Sequence, residues 1–184
     1  MTAVDLLVPV KPLHLAKTRL RGAWPARDER AHRELALALV RDTVAAATAA
    51  AGVRRVLAIC SDPHAVRVLR RDGTDVMPDE PDAGLNPALR HGAQVLGARD
   101  PRATVGALQS DLPALRSGEL DAALAAFAGC GAARAFCPDR VGTGTTLLLA
   151  RPGVDLDPRF GYGSAAAHRG SGARPLEGAW PTLR

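Results

Sequence analysis

The sequence predicts an α/β protein with a mostly parallel sheet covered by helices on both faces. Short apolar runs of strand length alternate with longer helical patterns, and cap or turn residues sit at the joins. Nothing resembling a repeat or a dividing linker interrupts the 184 residues, a length that suits one domain with a real core. Residues 1–184 are therefore read as a single Rossmann-like domain.

The first element is a buried strand over residues 4–10, an apolar run from Val4 to Val10. A long helix is predicted over 28–51, opened by Asp28, closed by Gly52, and carrying Leu35, Leu39 and Val40 on one face. Val53 to Cys60 reads as a second strand. The next helix starts at Asp62-Pro63, with proline at its first position, and runs to Gly73. Asp75-Val76-Met77 is a short strand leading into a loop rich in Asp, Pro and Gly (78–85). Asn86 is expected to cap a third helix, with Pro87 just inside it. Residues 103–109 form a further strand and 117–128 a further helix. Residues 133–137 and 145–150 are two strands joined through the Gly142-Thr143-Gly144-Thr145 turn. Beyond them, Phe160-Gly161-Tyr162-Gly163 runs into a helix expected to be capped by Ser164.

Composition narrows the function. With 47% hydrophobic but only 3% aromatic residues, the core is one of Leu, Val and Ala. The net charge is +5, but the arginines are scattered and almost no aromatics interleave with them. That pattern favours small anionic ligands over nucleic acid. Cys60, Cys130 and Cys137 form no Cys-x-x-Cys pair, which argues against a disulfide framework or a structural zinc site. The start of the chain lacks a charged segment before an apolar stretch, and no apolar run approaches the ~18 residues of a membrane span. A cytoplasmic protein is expected.

Of the 24 Lys and Arg residues, only Lys11 and Lys17 are lysine, and both lie in the loop after the first strand. A compact ammonium suits a phosphate as a point charge, whereas arginine prefers planar, bidentate partners. In an α/β sheet that loop lies at the carboxyl edge, where ligands bind. The loop is read as gripping a nucleotide triphosphate through Lys11, Lys17 and Arg19. Asp111 follows a buried strand at the same edge, where a carboxylate can hold Mg²⁺ together with substrate phosphates; a turn before Leu112-Pro113 would look the same in sequence. The Gly142–Thr145 turn offers backbone N–H groups that can cup an anion, although a plain hairpin turn explains the glycines as well. The Ser164 helix start is a second anion candidate. The sequence contains neither a Gly-x-x-x-x-Gly-Lys-Ser/Thr loop nor a Gly-x-Ser-x-Gly elbow, and its five histidines lack metal-ligand spacing; of these only His168 falls near a candidate site.

Taken together, five ordered segments resemble the guanylyltransferases of coenzyme F-420 biosynthesis, which act on phosphoenolpyruvate or 2-phospho-L-lactate. They are Val10-Lys11-Pro12-Leu13 with Ala16–Leu20, Leu108–Leu115, Asp139–Thr145, Pro158–Gly161 with Ser164 and His168, and Gly178-Ala179-Trp180-Pro181. The resemblance runs over nearly the whole chain. It implies the nucleotidyltransferase fold of the glycosyltransferase-A type, and GTP plus a phosphorylated three-carbon acid as substrates, with pyrophosphate released. It also implies that Thr145, Gly161 and Ser164 contact the acid. Mg²⁺ is the expected cofactor, held at Asp111. Lys17 and Asp111 are expected to carry catalysis, Lys11, Lys17 and Arg19 to bind the triphosphate, and Asn86 to lie near the base. Family members carry an Asp-Val-Asp stretch after the Trp-Pro segment, and the sequence has no Asp after Asp157, so a missing C-terminal tail is expected.

Two rivals stay open at this stage. One is a nucleotidyltransferase for another acceptor, such as a sugar phosphate or molybdopterin; the other is a non-catalytic nucleotide-binding module. Neither a nucleic acid nor a membrane is an expected partner, and homo-oligomerisation is left open.

Overall fold

Seven strands form one sheet in the order β3-β2-β1-β4-β6-β5-β7 in the computed structural model, which describes residues 3–13 and 29–184. The elements in chain order are β1 (Val4–Pro9), α1 (Glu29–Thr48), β2 (Val53–Ile59), α2 (Pro63–Arg71), β3 (Asp75–Met77) and α3 (Leu85–Arg99). They continue with β4 (Thr104–Leu108), α4 (Ser117–Gly129), β5 (Arg134–Pro138), β6 (Thr145–Ala150), α5 (Ser164–Gly170) and β7 (Arg174–Pro175). Parallel pairing joins β1 to β2 and β4, β2 to β3, and β5 to β7; β6 runs antiparallel between β4 and β5. The expected mostly parallel α/β sheet is what forms.

The alternation of side chains along a strand accounts for the two cores. Leu6, Val8, Val56, Ala58, Leu108, Leu147 and Leu149 point to one face, where α1, α2 and α4 cover them with Leu37, Val40, Val44, Leu69, Leu120 and Phe127. Leu7, Leu57, Ile59, Ala107, Phe136 and Leu148 point to the other, beneath Ala88, Leu89 and Leu96 of α3 and Ala165 of α5. The interiors of β1, β4, β5 and β6 are thus buried on both sides, which explains their apolar runs, whereas the edge strands β3 and β7 stay partly exposed.

Three expectations change in detail. Helix α1 buries Ala36, Leu37, Val40, Val44 and Ala47, while Leu35 is 42% exposed. Leu35 lies off the stripe that Leu37, Val40 and Val44 define at helical spacing. Helix α3 is capped by Gly84, and Asn86 sits inside its first turn. Helix α5 is capped by Gly163 in the left-handed conformation (φ 69°), so Ser164 is its first residue rather than its cap. The two-residue strand β7, anchored by Leu176 N–H donating to the Phe136 carbonyl, is too short to leave a periodic signal.

Candidate active site

Strand order places the site. The chain leaves β1 toward β2 and β3 on one side, and β4 lies on the other. The carboxyl ends of β1 and β4 therefore flank a topological switch point, the crevice where open α/β sheets bind ligands. Leu7 of β1 pairs with Ala107 of β4, and Lys11 and Asp111 each follow four residues later. Both therefore lie in loops that leave adjacent strands at the same edge of the sheet. On the far side of β4, Leu108 pairs with Leu147, and Gln109 N–H donates to the Thr146 carbonyl at 2.8 Å. That antiparallel register brings Thr145, the first residue of β6, to the same edge. Lys11 and Asp111 are exposed and Thr145 is buried. Lys17 and Arg19, the other expected triphosphate contacts, lie outside the described residues, as do Asp28 and His14.

Both loops at the crevice are tied down by groups the sequence reading did not single out. Asp62 caps α2 by accepting from His64 N and Ala65 N through Oδ1, and its Oδ2 accepts from Leu13 N at 3.1 Å. One carboxylate thus fixes a helix start and the beginning of the lysine loop. Burial works to raise the Asp62 pKa, but the three N–H donors outweigh it and hold the group below the usual carboxylate range. Across β4, the buried Thr43 hydroxyl of α1 accepts from Leu112 N at 3.0 Å, securing the residue after Asp111. Among the described residues no group of three or more His, Cys, Asp or Glu forms a metal cage. A single carboxylate at the edge suits Mg²⁺, which keeps waters and takes substrate phosphates as its remaining ligands.

The Gly-Thr turn works differently from the expected anion cup. Asp139 accepts from Gly142 N through its carbonyl (2.9 Å) and from Thr143 N through its carboxylate (3.0 Å), so these N–H groups have internal partners. Any Cβ on Gly144 would sit 2.4 Å from Asp139 Oδ2, which accounts for glycine there. The start of α5 is likewise occupied: Ser164 N donates to Gly161 O and Ala165 N to Thr143 O. A helix of seven residues with its leading donors engaged is not a ready phosphate cradle. These contacts instead dock the 160–165 segment against the turn, setting Thr145, Gly161 and Ser164 in one corner.

Two side chains organise that corner. The Asn86 carboxamide donates to Phe160 O (3.0 Å) and accepts from Phe160 N (2.8 Å), locking α3 to the Gly161 loop. Gly161 adopts φ 141°, a region open to glycine, and is exposed. His168 is fully buried, in contact with the Phe136 and Phe160 rings at 5.7 and 5.1 Å. Its Nδ1 lies 2.9 Å from Thr145 Oγ1 and its Nε2 accepts from Arg159 N at 2.9 Å. Burial, then the positive charges of Arg134 and Arg159 against the opposing Asp157, pushes the His168 pKa down to about 4. At neutral pH the ring is uncharged.

The described part of this edge thus carries a cation at Lys11, a carboxylate at Asp111 and a polar corner at Thr145 and Gly161. No protein-family model matches the chain. Over 185 residues it is 50% identical to the phosphoenolpyruvate guanylyltransferase of Salinispora arenicola, covering 100% of this chain and 83% of that protein. Against the enzyme of the same name from Geodermatophilus obscurus it is 52% identical over 183 residues, covering 98% and 82%. Its fold is similar to 4-diphosphocytidyl-2C-methyl-D-erythritol synthase (TM-score 0.63, 14% identity, covering 100% of this chain and 93% of that one). A Mycobacterium tuberculosis H37Rv protein solved in complex with manganese shares it too (TM-score 0.58, 21% identity, covering 95% and 87%). The chain belongs to the phosphoenolpyruvate guanylyltransferase family.

Proposed function

We propose that residues 1–184 act as one guanylyltransferase domain that joins GMP from GTP to phosphoenolpyruvate and releases pyrophosphate. The observation that supports this reading is the pairing of β1 with β4, which puts the loops carrying Lys11 and Asp111 at the switch point, with Thr145 at the start of β6, the strand next to β4. The names of the relatives, at about half identity over the full chain, support phosphoenolpyruvate over 2-phospho-L-lactate as the acid.

The chemistry is an in-line displacement. A phosphate oxygen of the acid attacks the α-phosphorus of GTP, a new P–O bond forms, and the bond to the β-phosphate oxygen breaks. No protein nucleophile is required; positioning and charge neutralisation suffice. Lys11, with Lys17 and Arg19, holds the triphosphate and offsets the charge that develops on the leaving pyrophosphate. Thr145, Gly161 and Ser164 hold the acid with its phosphate toward the α-phosphorus. Asp111 would hold a divalent cation, Mg²⁺ in the cell, which when bound neutralises phosphate charge. Asn86 stands next to the base side through α3 and serves the site by fixing the Phe160-Gly161 backbone. A cytoplasmic location fits the supply of both substrates.

The decisive experiment is pyrophosphate release from GTP and Mg²⁺ with phosphoenolpyruvate, 2-phospho-L-lactate or a sugar phosphate as acceptor, with the product mass recorded. Release with phosphoenolpyruvate alone is the expected result. Turnover confined to a sugar phosphate would place the chain with another acceptor, and GTP binding without any release would make it a binding module.

A further inference from the structure

We propose that His168 is a positioning residue that fixes Thr145 as a hydrogen-bond donor toward the bound acid. This rests on the reading that Thr145 contacts the acid, and goes beyond it by giving the direction of that contact and its cause.

The direction follows from atoms that have no choice. Arg159 N, a backbone donor, lies 2.9 Å from His168 Nε2, so Nε2 accepts and carries no proton. A neutral imidazole has one ring proton, which must then sit on Nδ1. The Ser164 carbonyl also accepts from the ring, and a carbonyl can do nothing else. The single Nδ1–H therefore faces both the Ser164 carbonyl and Thr145 Oγ1, the latter 2.9 Å away, and Nδ1 cannot accept a proton from the threonine hydroxyl. With no acceptor on that nitrogen, the threonine hydroxyl turns its own proton elsewhere.

That asymmetry matches the ligand. A phosphorylated carboxylic acid at neutral pH presents carboxylate and phosphate oxygens, which are chiefly acceptors. An unrestrained hydroxyl rotates freely and must lose that freedom on binding; one already held by His168 is pre-organised as a donor. The charged groups facing the ring are Arg134, Asp157 and Arg159, with Asp157 bridging the two arginines at 3.0 and 3.2 Å. Burial, including that beneath the Phe136 and Phe160 rings, keeps the imidazole neutral, and the two arginines outweigh Asp157 in the same direction. The role of His168 is thus orientation rather than charge.

Two amide substitutions separate the two ring nitrogens. His168→Asn places an N–H near the Nδ1 position and gives up the acceptor for Arg159. His168→Gln reaches the Nε2 position, keeps an acceptor for Arg159, and leaves Thr145 without a donor. We expect His168→Gln to raise KM for phosphoenolpyruvate about tenfold, the size of one lost hydrogen bond, with KM for GTP little changed. His168→Asn should recover most of that loss. In a Thr145→Val background, where the hydroxyl is gone, His168→Gln should add nothing further. In the parent protein, ¹⁵N NMR of the imidazole should show the proton on Nδ1. A proton on Nε2, equal losses in the Asn and Gln variants, or additive effects with Thr145→Val would overturn the proposal. If Thr145→Val itself left KM for phosphoenolpyruvate unchanged, the assignment of Thr145 to the acid would fail instead. Should neither His168 variant fold, the NMR result on the parent decides.

Discussion

Asn86 and Phe160 are 74 residues apart in sequence, and the carboxamide of one takes both backbone polar groups of the other, at 3.0 and 2.8 Å. This pair couples helix α3 to the loop that carries Gly161 and leads into Ser164. Replacing Asn86 with Ala leaves the Phe160 N–H and C=O without their partner. The expected cost is about 2 kcal/mol, two modest hydrogen bonds in a half-buried setting. Asn86→Asp retains the acceptor but sets a carboxylate against the Phe160 carbonyl, so it should be at least as harmful. Both variants should raise KM for the acid more than KM for GTP, measured alongside urea unfolding. Equal rises for the two substrates would show that Asn86 serves the nucleotide directly.

His168 makes stability fall on mild acidification. Its folded pKa of about 4 lies below the ordinary 6.5, because burial and the nearby Arg134 and Arg159 disfavour the imidazolium more than Asp157 favours it. The contribution is therefore undiminished above pH 6.5. As pH drops from 6.5 toward 4, the unfolded chain takes up a proton that the folded one refuses, and stability is lost. Between pH 7 and 5 the loss from this residue is about 2 kcal/mol. Urea midpoints at the two pH values should show it in the parent and not in His168→Asn, where the titrating group is absent. A parallel pH dependence in both proteins would mean that other groups dominate that range.

The fold was readable where local pattern and tertiary environment agree. Strand β3 occupies the predicted Asp75–Met77, and the β5–β6 hairpin turns at the predicted glycines. Lys11 and Asp111 each follow an apolar strand in sequence, and the β1–β4 pairing puts the ends of those two strands at one edge of the sheet. What escaped were contacts closed only by packing. Asp62 reaches Leu13 across 49 residues, and Thr43 reaches Leu112 across 69. In sequence, each looks like an ordinary capping aspartate or helical threonine. Ser164 was misread as a cap because serine is a strong capping residue, whereas Gly163 reaches the left-handed conformation that this helix start needs. The Gly142–Thr145 turn carried an anion signal in its glycines, but Asp139 takes the N–H groups of Gly142 and Thr143.

The lysine loop should respond to the shape of the charge as well as its sign. Lys17→Ala is expected to lower kcat/KM for GTP on the order of a hundredfold, the usual cost of removing one charge-stabilising donor. Lys17→Arg should restore only part of it, since a planar guanidinium cannot occupy the compact place of an ammonium between phosphate oxygens. Steady-state kinetics with GTP varied and phosphoenolpyruvate saturating reads both effects. Full activity in the arginine variant would count against close phosphate contact by Lys17.

Asp111 provides the sharpest test of the proposed chemistry. The residue is exposed at a strand edge, and its loop is held from either side by Gln109 N–H on the Thr146 carbonyl and Leu112 N–H on the Thr43 hydroxyl. Asp111→Asn should therefore leave the fold and its unfolding midpoint nearly unchanged. An amide is a poor ligand for a hard cation, and with no cage of three or more His, Cys, Asp or Glu among the described residues, the loss has little to compensate it. Pyrophosphate release should fall by about three orders of magnitude at millimolar Mg²⁺ and recover only slightly as Mg²⁺ is raised. Measured against Mg²⁺ concentration, the parent should saturate where the variant still climbs. An Asp111→Asn protein with near-parental turnover at ordinary Mg²⁺ would remove the metal from this carboxylate, and the β1–β4 crevice would then have to neutralise the triphosphate through its basic residues alone.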